Sequence, residues 1–231
     1  MAKKRQVQTS QAPVHTEEHD PVVKAVEWTK SHRNPLIAGA AIVVVVAASV
    51  WFMVTAQQRK EVFAAAGLSN ARAIADAGNL ALAASDLSQL VLTYGGTAAG
   101  EEAVILLAQI RLSEGQTESA IEELSRFIES GPSDQFRAAA YGLLGNSLDQ
   151  AGRYAEAADA FRNAASAAWY DFLRAEYLIE VGRLSELAGD TSAAVAAYED
   201  VITNLPDEDE SVIAARVRLA ELRPGQVGIG T

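Results

Sequence analysis

From Leu36 to Thr55 the chain carries an apolar or small residue at every position and shows no polar face of the kind a surface helix displays. No charge occurs between Pro35 and Ala56, and Arg33 and Arg59 bracket the run. A helix rises about 1.5 Å per residue and bilayer hydrocarbon is about 30 Å thick, so roughly 20 such residues cross it. A helix also satisfies its own backbone polar groups in lipid, and the pattern therefore predicts one transmembrane helix over 35–56. Val54-Thr55-Ala56 offers small residues suited to signal cleavage, but the run is longer than the roughly 7 to 15 residues of a cleavable signal, and it reads as an anchor.

Past Ala56 the apolar positions take up the three-and-four spacing of amphipathic helices, punctuated by glycine. Gly78, Gly115, Gly152 and Gly189 recur every 37 residues, and their surroundings recur with them. Five positions beyond each stands Ala83, Ala120, Ala157 or Ala194, and four further Leu87, Leu124, Phe161 or Tyr198. Seven positions before each stands Ala71, Ala108, Gly145 or Gly182. Each glycine is placed where one helix of a pair ends and the next begins. Helices are predicted near 57–77, 79–94, 98–114, 117–130, 134–151, 154–167, 171–188 and 191–204, with a capping helix over 209–222. Gln57 to Ala77 has no breaker except Gly67, so the span is expected to continue into the first repeat helix. The acidic run Asp207 to Glu210 suits the start of the capping helix, and Arg216, Arg218 and Arg223 suit its other end through the helix dipole.

These positions resemble the tetratricopeptide repeat (TPR) family, whose unit pairs two helices around such a turn. The third unit carries the resemblance best, with Tyr141, Leu144, Gly145, Gly152, Tyr154, Ala157, Phe161 and Ala164. Gly182, Gly189, Ala194, Tyr198 and Pro206 fit in the fourth, and Ala108, Gly115, Ala120 and Pro132 in the second. Small residues at Gly145 and Ala157 are expected to let two helices approach, with Phe161 filling the gap beside them. The expected fold is all-α: a single transmembrane helix, then a TPR-like helical-hairpin solenoid of about four repeats with a C-terminal cap. The domains would be 1–34 (a cytoplasmic tail with a short juxtamembrane helix), 35–56 (the span), 57–222 (the solenoid) and 223–231 (a disordered tail).

Charge divides at the span. The first 34 residues are net plus two, whereas the remainder holds 13 basic against 26 acidic residues. So acidic a domain repels phosphate backbones and anionic lipid, so nucleic acid is not expected as a partner. The basic cluster Lys3-Lys4-Arg5 on a short arm places the arm in the cytoplasm and the domain outside. The arm itself reads as a solvated tail despite His15 and His19 flanking Glu17 and Glu18. Asp20 and Pro21 then open a short juxtamembrane helix, and Trp28 near the span suits the headgroup level.

Beyond residue 34 there is no histidine, and the whole chain has no cysteine. The usual general base, metal ligand and thiol nucleophile are therefore missing from the large domain, and no enzyme activity, cofactor, metal site or small-molecule substrate is expected. Carboxylate pairs such as Glu122 with Glu123 are read as exposed, solvated faces; a carboxylate-dependent hydrolase is the disfavoured reading. What the TPR resemblance implies instead is a concave face lined by first helices that binds proteins. Six residues before each turn glycine, Arg72, Gln109, Asn146 and Arg183 form one polar row, with Asp149 and Glu186 beside it. Trp169, Tyr170 and Phe172 form a second candidate at a joint between units, where packing into the core is the plainer expectation. In plan the chain resembles the YfgM-like family of ancillary subunits of the bacterial Sec translocon. That resemblance implies a single-pass inner-membrane adaptor, domain in the periplasm, working beside the translocon and periplasmic chaperones. An envelope-assembly or cell-division scaffold is the alternative.

Overall fold

The computed structural model describes residues 33–206 and 209–223, with side chains from residue 43 onward. The readings made for the arm, the juxtamembrane helix, Asp207 and the tail from 224 lie outside the described residues. The chain divides into two units, residues 1–55 and 56–231.

Among the described residues the structure is all helical. In order stand α1 (Arg33–Asp76), α2 (Leu80–Tyr94), α3 (Ala98–Ser113), α4 (Thr117–Glu129), α5 (Asp134–Gln150), α6 (Tyr154–Ala167), α7 (Asp171–Leu187), α8 (Thr191–Asn204) and α9 (Glu210–Leu222). Successive helices pack as hairpins from α2 to α9, and α9 rests on both α7 and α8 as a cap. Among the described residues no helix is long and apolar enough to cross a membrane. The predicted span begins at Pro35, ahead of the first described side chain at Val43. From Val43 to Val54, nine large apolar side chains of α1 are more than half exposed.

The four periodic glycines end the first helix of each pair in the left-handed region, with φ of 85° at Gly78, 74° at Gly115, 74° at Gly152 and 81° at Gly189. At Gly115 the N–H donates to the Leu112 carbonyl at 3.1 Å, and the Gln116 N–H donates to the Arg111 carbonyl at 2.8 Å. The same two bonds recur at Gly78, Gly152 and Gly189, closing each helix with a Schellman turn. Alanine at 152 would meet nothing within 4 Å, so only its backbone conformation opposes it. Gly152→Ala should therefore cost about 1 kcal/mol in urea unfolding, and Gly152→Asn less, because asparagine tolerates this conformation.

The alanines after each turn, Ala83, Ala120, Ala157 and Ala194, are all 0 % exposed. Their partners four residues on, Leu87, Leu124, Phe161 and Tyr198, are at most 3 % exposed. Side-chain volume is exchanged between the two helices of a pair. Where the first helix has Ala71 or Ala108, the second has leucine; where it has Gly145 or Gly182, the second has Phe161 or Tyr198. A Cβ on Gly145 would lie 2.5 Å from the Phe161 ring, so the absent methyl is the space the ring occupies.

The capping helix is held differently from the dipole expectation. Its N-terminus is capped as predicted by Asp209, which accepts from the Ser211 N–H at 2.8 Å. Arg218 and Arg223 turn instead to carboxylates, Arg218 to Glu186 at 3.2 Å and Glu221 at 2.7 Å, and Arg223 to Glu199 at 2.7 Å. A carboxylate in reach offers a full opposite charge where the helix terminus offers only half of one.

Candidate functional site

The predicted polar row lies along the first helices, with Arg72 on α1, Gln109 on α3, Asn146 on α5 and Arg183 on α7. Arg72, Gln109 and Asn146 are exposed and Arg183 is half-buried. The two arginines are not merely solvated. Arg72 pairs with Glu102 of α3, and Arg183 pairs with Asp149 of α5 at 2.6 Å and with Glu180 at 2.7 Å. Glu186 joins α7 to the cap through Arg218 and also accepts from the Tyr198 hydroxyl at 2.7 Å. The first helices α1 and α3, and again α5 and α7, are thus joined by ion pairs along the row, and Gln109 and Asn146 are its neutral positions. Sequence spacing brought the row together; it did not show that Asp149 and Arg183 share one bond.

Trp169, Tyr170 and Phe172 are 72 %, 63 % and 62 % exposed, which overturns the expectation that they pack into the core of the joint. The backbone explains it: Ala168 and Tyr170 are both extended, so the chain swings outward before α7 begins. Small residues, Ala164, Ala165 and Ala175, fill the interior there. The Tyr170 and Phe172 rings stack with centroids 5.6 Å apart, making one aromatic face.

A cleft of about 600 Å³ between α2 and α4, floored by α3, has no counterpart in the sequence reading. Its walls include Val91, Leu92, Val104 and Phe127, and Arg111 faces Glu123 across it at 3.0 Å. Glu123 was read as an exposed position, yet its side chain is only 20 % exposed against 75 % for Glu122. Burial pushes the Glu123 carboxyl up, against the opposing pull of Arg111 and Arg126. The signal available in the sequence was an Arg and a Glu placed either side of Gly115, which the turn folds onto each other. Glu101 and Arg126 also line the cleft, so its apolar walls are joined to four charged side chains.

Helical pairs in a repeating register, tied by identical glycine turns, define a helical-hairpin repeat protein. The chain belongs to the tetratricopeptide repeat-like domain family, whose model matches residues 26–222. Among solved structures it is similar to the nearly identical TPR-like repeats of a putative kinesin light chain from Podosopora anserina. There the identity is 20 %, with 69 % of this chain and 84 % of that one covered and a TM-score of 0.54. It is also similar to MamA, at 21 % identity, with 67 % and 83 % covered and a TM-score of 0.53. A tetratricopeptide repeat protein from Parabacteroides merdae gives 12 % identity, 70 % and 60 % coverage and a TM-score of 0.57. At such identities these likenesses show the fold alone. No curated protein matches the chain.

Proposed function

We propose that the protein is a single-pass membrane adaptor of the bacterial envelope. Its repeats bind other proteins outside the cytoplasm, assisting export or folding beside the Sec translocon. The observation that carries the anchor is the run of exposed apolar side chains from Val43 to Val54. In water such a run would leave a large apolar surface uncovered; in hydrocarbon every one of those side chains is satisfied. The family match covers residues 26–222, a range that includes the run. Binding is read from the fold, since TPR stacks serve typically as interaction scaffolds, and from the row of polar first-helix positions. Basic segments of client proteins complement a domain with twice as many acidic as basic residues.

Topology is tested by a reporter fused after Thr231, which should behave as exported, while protease added to spheroplasts should digest the repeats. Protection of the repeats would invert the orientation, and release of the protein from membranes by high salt would remove the anchor.

Binding is tested at Gln109 and Asn146, because substitutions there leave the ion-paired arginines intact. A photocrosslinker at either position should trap a partner that the same group at Arg162, on a second helix, does not. The double variant Gln109→Ala/Asn146→Ala should weaken capture about tenfold, which corresponds to about 1.4 kcal/mol, with an unchanged helical signal. Equal trapping at all three positions would remove the first-helix row as the binding face.

A further inference from the structure

In the second, third and fourth units the first helix is covered by the second helix of the unit ahead of it. Ala99, Ala103, Leu107 and Ile110 of α3 are buried in one cluster with Leu87 and Leu90 of α2. Phe136 and Ala140 of α5 pack with Phe127 of α4, and Tyr177, Val181 and Leu184 of α7 with Phe161 of α6. Among the described residues, α1 has no such helix over it. At the same register, 37 residues ahead of α3, it carries Val62, Ala66, Asn70 and Ala73, and all four are exposed. The repeat itself thus marks this face as one that a helix covers.

A face left to water in this domain carries charge: α4 exposes Glu118, Glu122, Arg126 and Glu129, and α6 exposes Glu156, Asp159 and Arg162. On α1 no charged residue occurs between Glu61 and Arg72. Yet Val62 and Phe63 are 68 % and 65 % exposed, with Ala65, Ala66, Ser69 and Asn70 exposed beside them. Arg59 and Lys60 bound the face at one end and Asp76 at the other, and Asp86 of α2 stands to one side, by a depression that Phe63 and Asn70 also line.

Within the face, Phe63, Ala66, Asn70, Ala73 and Ala77 follow alternate steps of three and four, the spacing of a and d positions in a two-stranded coiled coil. Phe63, Asn70 and Ala77 take the a positions, Ala66 and Ala73 the d positions. Ala64, Leu68 and Ala71, which α1 buries in the repeat core, fall on the far side at b and f. A second helix can therefore lie along the stripe without meeting the repeats behind it.

We propose that this face pairs with the same face of a second copy, α1 along α1 in parallel and in register, making the protein a dimer. Direction and register follow from Asn70. Parallel pairing sets each a position against its own counterpart, so the two Asn70 amides donate to each other; antiparallel pairing sets Asn70 against a d-position alanine and leaves a covered amide without a partner. One asparagine at an a position is also a device that fixes two-stranded register. The contact uses residues 59–77 alone and stands whether or not the run before Ala56 crosses a bilayer.

The absence of native cysteine allows a clean test on the full chain in detergent micelles. Ala66→Cys and Ala73→Cys lie on the stripe, whereas Ala65→Cys is exposed on the same helix but off it. Under mild oxidation the 66 and 73 variants should each form disulfide-linked dimers in about fivefold higher yield than the 65 variant, since only their sulfurs meet within bonding distance. Mixing the 66 and 73 variants should give like-with-like dimers and no 66-to-73 product. Phe63→Glu, which alters an exposed side chain, should lower the yield at 73 about fivefold by setting two carboxylates together at an a position, with the helical signal and melting midpoint retained. Equal yields at 65, 66 and 73 would mean random collision and overturn the proposal. A 66-to-73 product would replace parallel pairing by antiparallel, and an undiminished yield with Phe63→Glu would place the dimer contact elsewhere; either result overturns it. A monomeric mass by sedimentation at micromolar concentration, with the stripe shielded from thiol reagent only when a helical peptide or another envelope protein is added, gives the face to a different partner and also overturns it.

Discussion

Alanine in place of Gly182 should lower the stability of the repeat unit by about 2 kcal/mol and its melting midpoint by about 6 °C. The added Cβ would lie 2.4 Å from both Cε1 and Cζ of Tyr198 and 2.9 Å from Cδ1. Tyr198 cannot recede freely, because its ring is 1 % exposed and its hydroxyl donates to Glu186 at 2.7 Å. Helix propensity works the other way, favouring alanine over glycine by about 1 kcal/mol, and the figure of 2 is what overpacking leaves after that gain. The double variant Gly182→Ala/Tyr198→Leu recreates the pairs Ala71 with Leu87 and Ala108 with Leu124 found in the first two units, and should recover much of the loss. A single variant as stable as the parent in thermal and urea unfolding would mean that the helices do not depend on this close approach.

Stability should also fall by about 2 kcal/mol as pH rises from about 10 to about 12, chiefly through Tyr198. Burial, and next its hydrogen bond to Glu186, push this phenol up to about 12 against the opposing pull of Arg218. The sign follows from proton counting. Between the ordinary value near 10 and the folded value, the unfolded chain has released the proton and the folded chain has not. The unfolded state then binds fewer protons, so raising the pH favours it, and below about pH 10 the group contributes no pH dependence. Tyr177, raised by burial, adds in the same direction. Lysine adds little to this window, since Lys60 is the one lysine after residue 34. Tyr198→Phe should cost about 1 kcal/mol at pH 7 for the lost hydrogen bond and flatten most of the alkaline decline. Parallel declines for parent and variant, followed by urea midpoints from pH 8 to 11.5, would rule out Tyr198 as the cause.

Much of the fold was legible because its determinants are local. The glycine period marks left-handed turns, and a φ near 74–85° is a property that glycine carries without help from neighbours. Helix bounds drawn from apolar spacing differ from those observed by a few residues at most, as at 134–151 against Asp134–Gln150. The aromatic face was misjudged for a reason equally physical. Apolar character argues for burial only if the backbone aims the side chain inward, and the extended residues Ala168 and Tyr170 aim this segment outward.

The candidate site divides along the same line. The sequence by itself determined the apolar run, the repeat register and the polar row at Arg72, Gln109, Asn146 and Arg183, since each follows from period along one chain. Only the tertiary structure decided that Arg183 is committed to Asp149 and Arg72 to Glu102, that Glu123 is half-buried against Arg111 beside a cleft, and that Trp169, Tyr170 and Phe172 face outward. Those outcomes depend on which side chains meet after helices from different units stack, and periodicity fixes the face a residue occupies without fixing what the neighbouring helix places opposite it.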